Sequence, residues 1–334
     1  MRILVFLAST KRLGAIIDDK IVDLNLACAK LLADEGEPRP YALADAMVPT
    51  SLQKFIEGGK QSIEAANKAV DFAKTNLKTI AGPNGEKAVY GFRGVKTLTS
   101  LPGMGAKIFC MNENFTKLKT ENPLPVTGFL SYTSIVIGPD DSIIYPTGFK
   151  TFKETKMLDC EVECAAIIGK TGKDIPLEKA KEHIFGYTVF TDIITRDFRG
   201  QADDNAIIQS MYTSENFDTS KAMGPCILTA DQAKDIYNRG MEMRVNGTVR
   251  QSDTLKDMIH SFEEAIAYWS RDWTLHAGDV ITSGSSFSTF RKLEGTRQYL
   301  KVGDRLEASI EGIGVLKNKV AKNAVKKRIA ITED

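Results

Sequence analysis

Two segments of this chain are apolar almost throughout and are interrupted mainly by acids. Residues 158–169 run Leu-Asp-Cys-Glu-Val-Glu-Cys-Ala-Ala-Ile-Ile-Gly, and residues 186–194 run Gly-Tyr-Thr-Val-Phe-Thr-Asp-Ile-Ile. Short β-branched runs bounded by glycine predict buried strands. Side chains two apart on a strand share a face, so Glu161 and Glu163 point the same way, with Cys160 and Cys164 on the opposite face. Asp192 interrupts the second run. Further strands are predicted over 107–111, 134–138 and 225–228, and Asn246-Gly247 between alternating residues marks a hairpin within 241–250.

The leading region has a different rhythm. Residues 12–17 and 20–24 read as a hairpin around Asp18-Asp19, followed by helical patterns over 26–35 and 51–78, the second broken at Gly58-Gly59. Pro83-Asn-Gly85 is a turn. Later, 174–185 reads as a helix with Pro176 in its first turn. Thr254 is placed to cap a helix running to about residue 270. The whole predicts a strand-rich α+β chain with a smaller N-terminal α/β lobe over 1–95 and a β-rich domain over 96–334. Regular βαβ alternation is missing, which argues against a doubly wound sheet.

Composition narrows the field without naming a function. The 334 residues are 43% hydrophobic and 26% charged with a net charge of +1. This is a soluble globular balance, with no pull toward nucleic acid or an anionic membrane. The apolar start, residues 1–7, is too short for a signal peptide and reads as a first strand. Cys28, Cys110, Cys160, Cys164 and Cys226 are odd in number and match neither a disulfide framework nor a zinc site. Reduced thiols in a cytoplasmic compartment are the expectation.

The acids carry the chemistry. Like charges packed into an apolar sheet are costly unless a cation neutralises them. Glu161, Glu163 and Asp192 therefore form a candidate metal site, and hard oxygen donors suit Mg²⁺, Mn²⁺ or Ca²⁺. A wetted acidic strand face is the competing reading of Glu161 and Glu163; Asp192, inside a run that otherwise looks buried, weighs against it.

The order of the segments resembles the fumarylacetoacetate hydrolase superfamily. The collinear pieces are 108–115 ending in Asn114-Phe115, 159–163 with 167–170, 186–188, 192–197, Phe217-Asp-Thr219 with Met223-Gly-Pro225, 245–247, 257–259 and 274–281. The resemblance implies a mixed β-roll, generally a homodimer, acting on small 2-oxo acids or β-dicarbonyls. It also implies a divalent metal on Glu161, Glu163 and Asp192. A substrate 2-oxo carboxylate chelates such a cation, which then stabilises an enolate or oxyanion. Asp159 is placed to orient a ligand. Asn114, Ser131 and Ser285 are the corresponding substrate-binding candidates.

Several groups depart from the family's pattern. The position of its catalytic His holds Leu118, although Glu121 keeps the companion Glu. Where a Lys is usual, Glu215 stands, and Ser131 and Arg199 replace a Lys and a Gln. The three histidines fall elsewhere: His183 reads as surface, and His260 and His276 as structural. Glu215 or Glu121 is therefore the candidate acid–base group and Arg199, Lys117 or Lys119 the candidate for the substrate anion. Leucine cannot activate water, which favours tautomerisation, decarboxylation or dehydration over C–C hydrolysis. The alternative is a non-catalytic metal-binding or scaffold protein of the same fold. The region 116–127 is a natural lid in this family. No Gly-rich dinucleotide fingerprint follows a strand.

Overall fold

The structure, a computed structural model, describes residues 1–115, 125–146, 155–198, 214–286 and 298–322. The chain opens with β1 (Arg2–Leu7), β2 (Lys11–Ile17) and β3 (Lys20–Asp23), then α1 (Leu24–Asp34), α2 (Pro40–Met47), α3 (Leu52–Glu57) and α4 (Gly59–Thr75). Next come β4 (Val89–Gly91), β5 (Lys96–Thr97), β6 (Ile108–Met111), β7 (Gly128–Ser131), β8 (Val136–Ile137) and β9 (Ser142–Ile144). The long strands β10 (Leu158–Ile168) and β11 (Ile184–Thr195) flank the single turn α5 (Leu177–Ala180). After them come β12 (Lys221–Thr229), β13 (Gly240–Val245), β14 (Thr248–Thr254), α6 (Phe262–Trp269), β15 (Val280–Thr282), β16 (Arg305–Ile310) and β17 (Gly314–Ala321).

The large sheet has the order β4-β3-β2-β1-β12-β11-β10-β15-β6-β7, and the small one β14-β13-β16-β17-β9. The N-terminal strands thus extend the sheet that contains β10 and β11, through the antiparallel pair β1–β12. Strand alternation sorts the core into two layers. Cys160, Val162 and Cys164 pack with Met241, Met243, Leu306 and Leu316 of the small sheet. Ala165, Ile167, Phe185 and Phe190 pack with Phe55, Ala66 and Ala69 of the helices. All five cysteines are buried and unpaired. No helix among the described residues is long and apolar enough to cross a membrane.

Local chemistry explains most of the elements. Gly59 takes φ +56°, a left-handed turn that glycine enters without a Cβ penalty, and this separates α3 from α4. Asn246 and Gly247 take φ +52° and +80°, the two positive values that a two-residue hairpin asks for.

Two helical expectations fail for tertiary reasons. Over 174–185 only α5 and a further turn form. Asp174 and Ile175 spend their N–H groups on Ser270 at 2.8 and 2.9 Å, and residue 184 is drawn into pairing with Ile168. His183 is accordingly buried rather than surface, its ring Nδ1 2.7 Å from the Lys170 carbonyl oxygen. Thr254 caps only a short turn, accepting from Lys256 N–H at 3.3 Å. Residues Ile259 and His260 then give their N–H groups to Asn114, at 2.7 and 2.8 Å. The helix restarts with a Ser261/Glu264 capping box.

Candidate active site

A gap in the sheet creates the site. β10 pairs with β11 along its whole length, but with β15 only at Ala165, Ala166 and Ile167. Past that point no strand among the described residues lies beside its outer edge, and buried backbone groups must still be satisfied. Gln251 does this for Val162, accepting its N–H at 2.9 Å and donating to its carbonyl at 3.1 Å. Ser283 Oγ accepts from Cys164 N–H at 3.0 Å. The strands β6 and β15 are parallel, so the residues past their C-terminal ends, Asn112 and Glu113 after one and Ser285 and Ser286 after the other, reach the gap from the same end. The result is a cavity of about 270 Å³ lined by Glu161, Glu163, Asp192, Glu215, Cys110, Phe129 and these loop residues.

The ladder registers set the charges. Glu161 stands directly opposite Asp192 across β10–β11, and Asp192 opposite Lys221 across β11–β12. Like charges facing each other on adjacent strands repel, and cations of the protein answer them. Arg196 donates from Nε to Asp159 Oδ2 at 2.9 Å and from its NH2 group to Glu161 Oε1. Lys221 Nζ donates to Asp192 Oδ1. Ser285 Oγ donates to Glu161 Oε2.

Burial, then the charges of Asp192 and Glu161, pushes the Glu163 carboxyl well above its ordinary value. Burial also raises Asp192, against the opposing pull of Lys221. For Arg196 burial works downward but is outweighed by Glu161 and Asp159, so the guanidinium is held above its usual range. Burial likewise works against the Lys221 ammonium, and Asp192, Cys110 and Glu215 together keep it raised. The Cys110 thiol is pushed up by burial, away from thiolate reactivity.

The donor set fits a hard divalent cation. Its members are carboxylates, and Glu163 Oε2 is buried without a hydrogen-bond partner among the described residues. Among the described residues no three His, Cys, Asp or Glu side chains stand in an arrangement that already grips an ion. Glu161 and Asp192 are instead each held by a cation of the protein.

Of the residues singled out from the sequence, Glu161, Glu163, Asp192, Glu215 and Ser285 meet at the cavity. Asn114 does not line it. Its Nδ2 donates to the carbonyls of His260 and Ser283, each at 3.0 Å, and its Oδ1 accepts from His260 N–H, so the side chain ties three segments together. Ser131 is buried beside the site and donates to Asn216 Oδ1 at 2.7 Å. Glu121, Arg199, Leu118, Lys117 and Lys119 lie outside the described residues, as does most of the 116–127 lid region. None of the described lining residues is a histidine.

Three participants escaped the sequence reading. Lys221 carried the same signal as Asp192, a lone charge heading an apolar run. Arg196 lies beyond its strand, and only the β10–β11 register brings it to Glu161. Glu113 lines the cavity with φ +52°, and nothing in its residue type announces that.

Comparison with known proteins places this geometry in context. Residues 107–321 match the family model described as fumarylacetoacetate (FAA) hydrolase C-terminal. The chain is 30% identical to the oxaloacetate tautomerase YisK of Bacillus subtilis, covering 92% of this chain and 95% of that protein. It is 28% identical to a mitochondrial oxaloacetate tautomerase of Xenopus laevis, over 86% of this chain and 84% of the other. Among solved structures, fumarylacetoacetate hydrolase from Exiguobacterium antarcticum superposes with a TM-score of 0.70 at 25% identity, covering 96% of this chain and 99% of that one. Maleylpyruvate hydrolase from Sphingobium, solved with manganese(II) and pyruvate, gives 0.67 at 25% identity, with 96% and 99% covered.

Proposed function

This chain belongs to the fumarylacetoacetate hydrolase family, and we propose that it is a divalent-metal-dependent tautomerase of a small 2-oxo acid, with oxaloacetate as the first substrate to try. The observation that carries the reading is the cavity wall itself: Glu161, Glu163 and Asp192 with a further buried acid, Glu215, and no histidine among the described lining residues. Hydrolytic C–C cleavage needs an activated water, whereas keto–enol exchange needs one acid–base group beside a polarised carbonyl.

In this reading Glu161, Glu163 and Asp192 hold Mg²⁺ or Mn²⁺. When bound, the ion supplies Lewis-acid polarisation of the 2-oxo group. Glu215 takes a proton from C3 as the C–H electron pair becomes the enol C=C bond and the carbonyl π pair moves onto oxygen; the Glu215 carboxyl then returns that proton to the oxygen and is a carboxylate again. Ser285, already bonded to Glu161, orients that ligand from the loop side. Arg196 donates directly to the opposite oxygen of Glu161, and Asp159, its second partner, holds the guanidinium in place. The family's homodimer is the assembly this reading adopts. Support for the substrate class comes from the two relatives named as oxaloacetate tautomerases and from pyruvate in the Sphingobium complex.

The test is the rate of oxaloacetate keto–enol interconversion, followed by the ultraviolet absorbance of the enol, with and without Mn²⁺. The full chain should accelerate it. Glu161→Gln or Asp192→Asn should return the rate to that of buffer, and Glu215→Gln should cost about 10²-fold or more. An ion bound tightly with no acceleration of any 2-oxo acid would favour the non-catalytic scaffold instead.

A further inference from the structure

Lys221 is sealed from solvent, with 0% of its surface exposed, a state lysine almost never reaches without a partner. It heads β12 opposite Asp192, and its Nζ donates to Asp192 Oδ1. The ammonium also lies 5.5 Å from the centre of the Phe129 ring. Phe129 and Asp192 both line the cavity, but Lys221 does not. The positive charge therefore sits behind the wall and acts on the cavity through one carboxylate. Asp192 Oδ2 has no hydrogen-bond partner among the described residues, so one oxygen is turned back into the protein and the other is left to a ligand.

We infer that Lys221 is a positioning residue for the ion site: an internal counter-ion that fixes Asp192 by one oxygen and, through its charge, loosens the grip of the three carboxylates on a divalent cation. The inference rests on the reading that Glu161, Glu163 and Asp192 hold that cation. Its logic is Coulombic. A dication drawn to Asp192 comes within a few ångströms of a buried ammonium, where screening is weak and repulsion strong. The same ammonium keeps the carboxylates assembled when no cation is present, because an unpaired buried charge is expensive.

Lys221→Gln, which keeps a hydrogen-bond donor but no charge, and Lys221→Met, which keeps neither, separate this from a purely structural lysine. Mn²⁺ binding to the EDTA-treated full chain is measured by electron paramagnetic resonance, and thermal unfolding is recorded with and without Mn²⁺. Both variants should bind Mn²⁺ at least about tenfold more tightly than the wild type. Both should melt lower without the ion and gain more from it than the wild type gains. A structural lysine would lower the melting temperature without tightening Mn²⁺. An unchanged or weaker Kd in either folded variant overturns the inference, as does failure of both to fold when refolded in Mn²⁺. If the wild type binds no Mn²⁺, or binds it as well after Glu163→Gln, the site reading itself fails. Wild-type binding that depends on Glu163, with Lys221 variants no tighter, sinks the lysine inference alone.

Discussion

Glu161, Glu163, Ala165 and Ile167 lie on one face of one strand, all buried, yet the two halves of that face are built on opposite principles. Ala165 and Ile167 pack under the helices with Phe55 and Phe185. Glu161 and Glu163 lie past the end of the β10–β15 pairing, where a cavity replaces the helical layer. The apolar half is held by area removed from water and by close packing. The acidic half is held by Arg196 on Glu161, by Lys221 on the facing Asp192, and by a hydrogen bond to Glu161 from Ser285 in the loop after β15. Equal burial therefore conceals different vulnerabilities, and the acidic half has no packing reason to exist.

The largest effect that would break this contrast comes from Arg196→Ala. It leaves Glu161 and Asp159 buried without their guanidinium, and removing one partner of a buried ion pair costs about 3–5 kcal/mol. Urea unfolding should show that loss together with loss of the proposed tautomerase activity. Ile167→Ala in the apolar half should lose about 2–5 kcal/mol through its cavity while the folded fraction keeps its specific activity. If Arg196→Ala cost no more than an exposed pair, about 1 kcal/mol or less, the acidic half would not depend on its counter-charge.

A smaller effect sharpens the same contrast through pH. In the metal-free protein burial holds the Glu163 carboxyl protonated above its ordinary range, whereas the unfolded chain ionises it near the usual carboxylate value. As pH rises through that window the unfolded state sheds its proton first. Stability therefore falls, by up to about 1.4 kcal/mol per pH unit, until the folded pKa is passed. Glu163→Gln has no such proton to lose. The stability difference between variant and wild type should widen with pH in EDTA-treated protein and close when Mn²⁺ is added, since the ion takes the carboxylate form. A difference that stayed flat across the carboxylate range would mean that Glu163 is not desolvated.

How much of this was legible follows from where each signal resides. β10 and β11 and the three acids were readable because apolar runs with lone charges are a local pattern. The Asn246-Gly247 hairpin was readable because its backbone demand maps onto residue type. The helix expected over 174–185 was not realised, since Ser270 and Ile168 compete for its ends from distant positions. Asn114 was read as a substrate-binding candidate; its side chain ties three segments, through partners more than a hundred residues away that no local pattern discloses. Arg196 owes its place to register, which no window along the chain encodes.

The smallest effect tests where strain is stored. Asp18, Asp140, Asp174 and Asn246 take positive φ, which Asp and Asn tolerate. Glu113 and Thr219 do so as well, and they are poor residues for that region. Glu113 lines the cavity. Thr219 Oγ1 accepts from Ile144 N–H at 2.8 Å in the segment that leads to Lys221. A left-handed backbone at a residue other than glycine costs on the order of 1 kcal/mol or more, and such strain persists where the side chain is needed. Glu113→Gly relieves the backbone but adds freedom to the unfolded chain, worth about 0.5–1 kcal/mol in the other direction. The net should be a stability unchanged or raised by about a few tenths of a kcal/mol, read as a urea midpoint, together with a fall in the proposed tautomerase rate. Asp18→Gly, in a surface hairpin turn, should leave the rate untouched. A Glu113→Gly protein as active as the wild type would mean that the strained corner serves the turn alone, and that the carboxylates on β10 and β11 do the site's work without help from the rim.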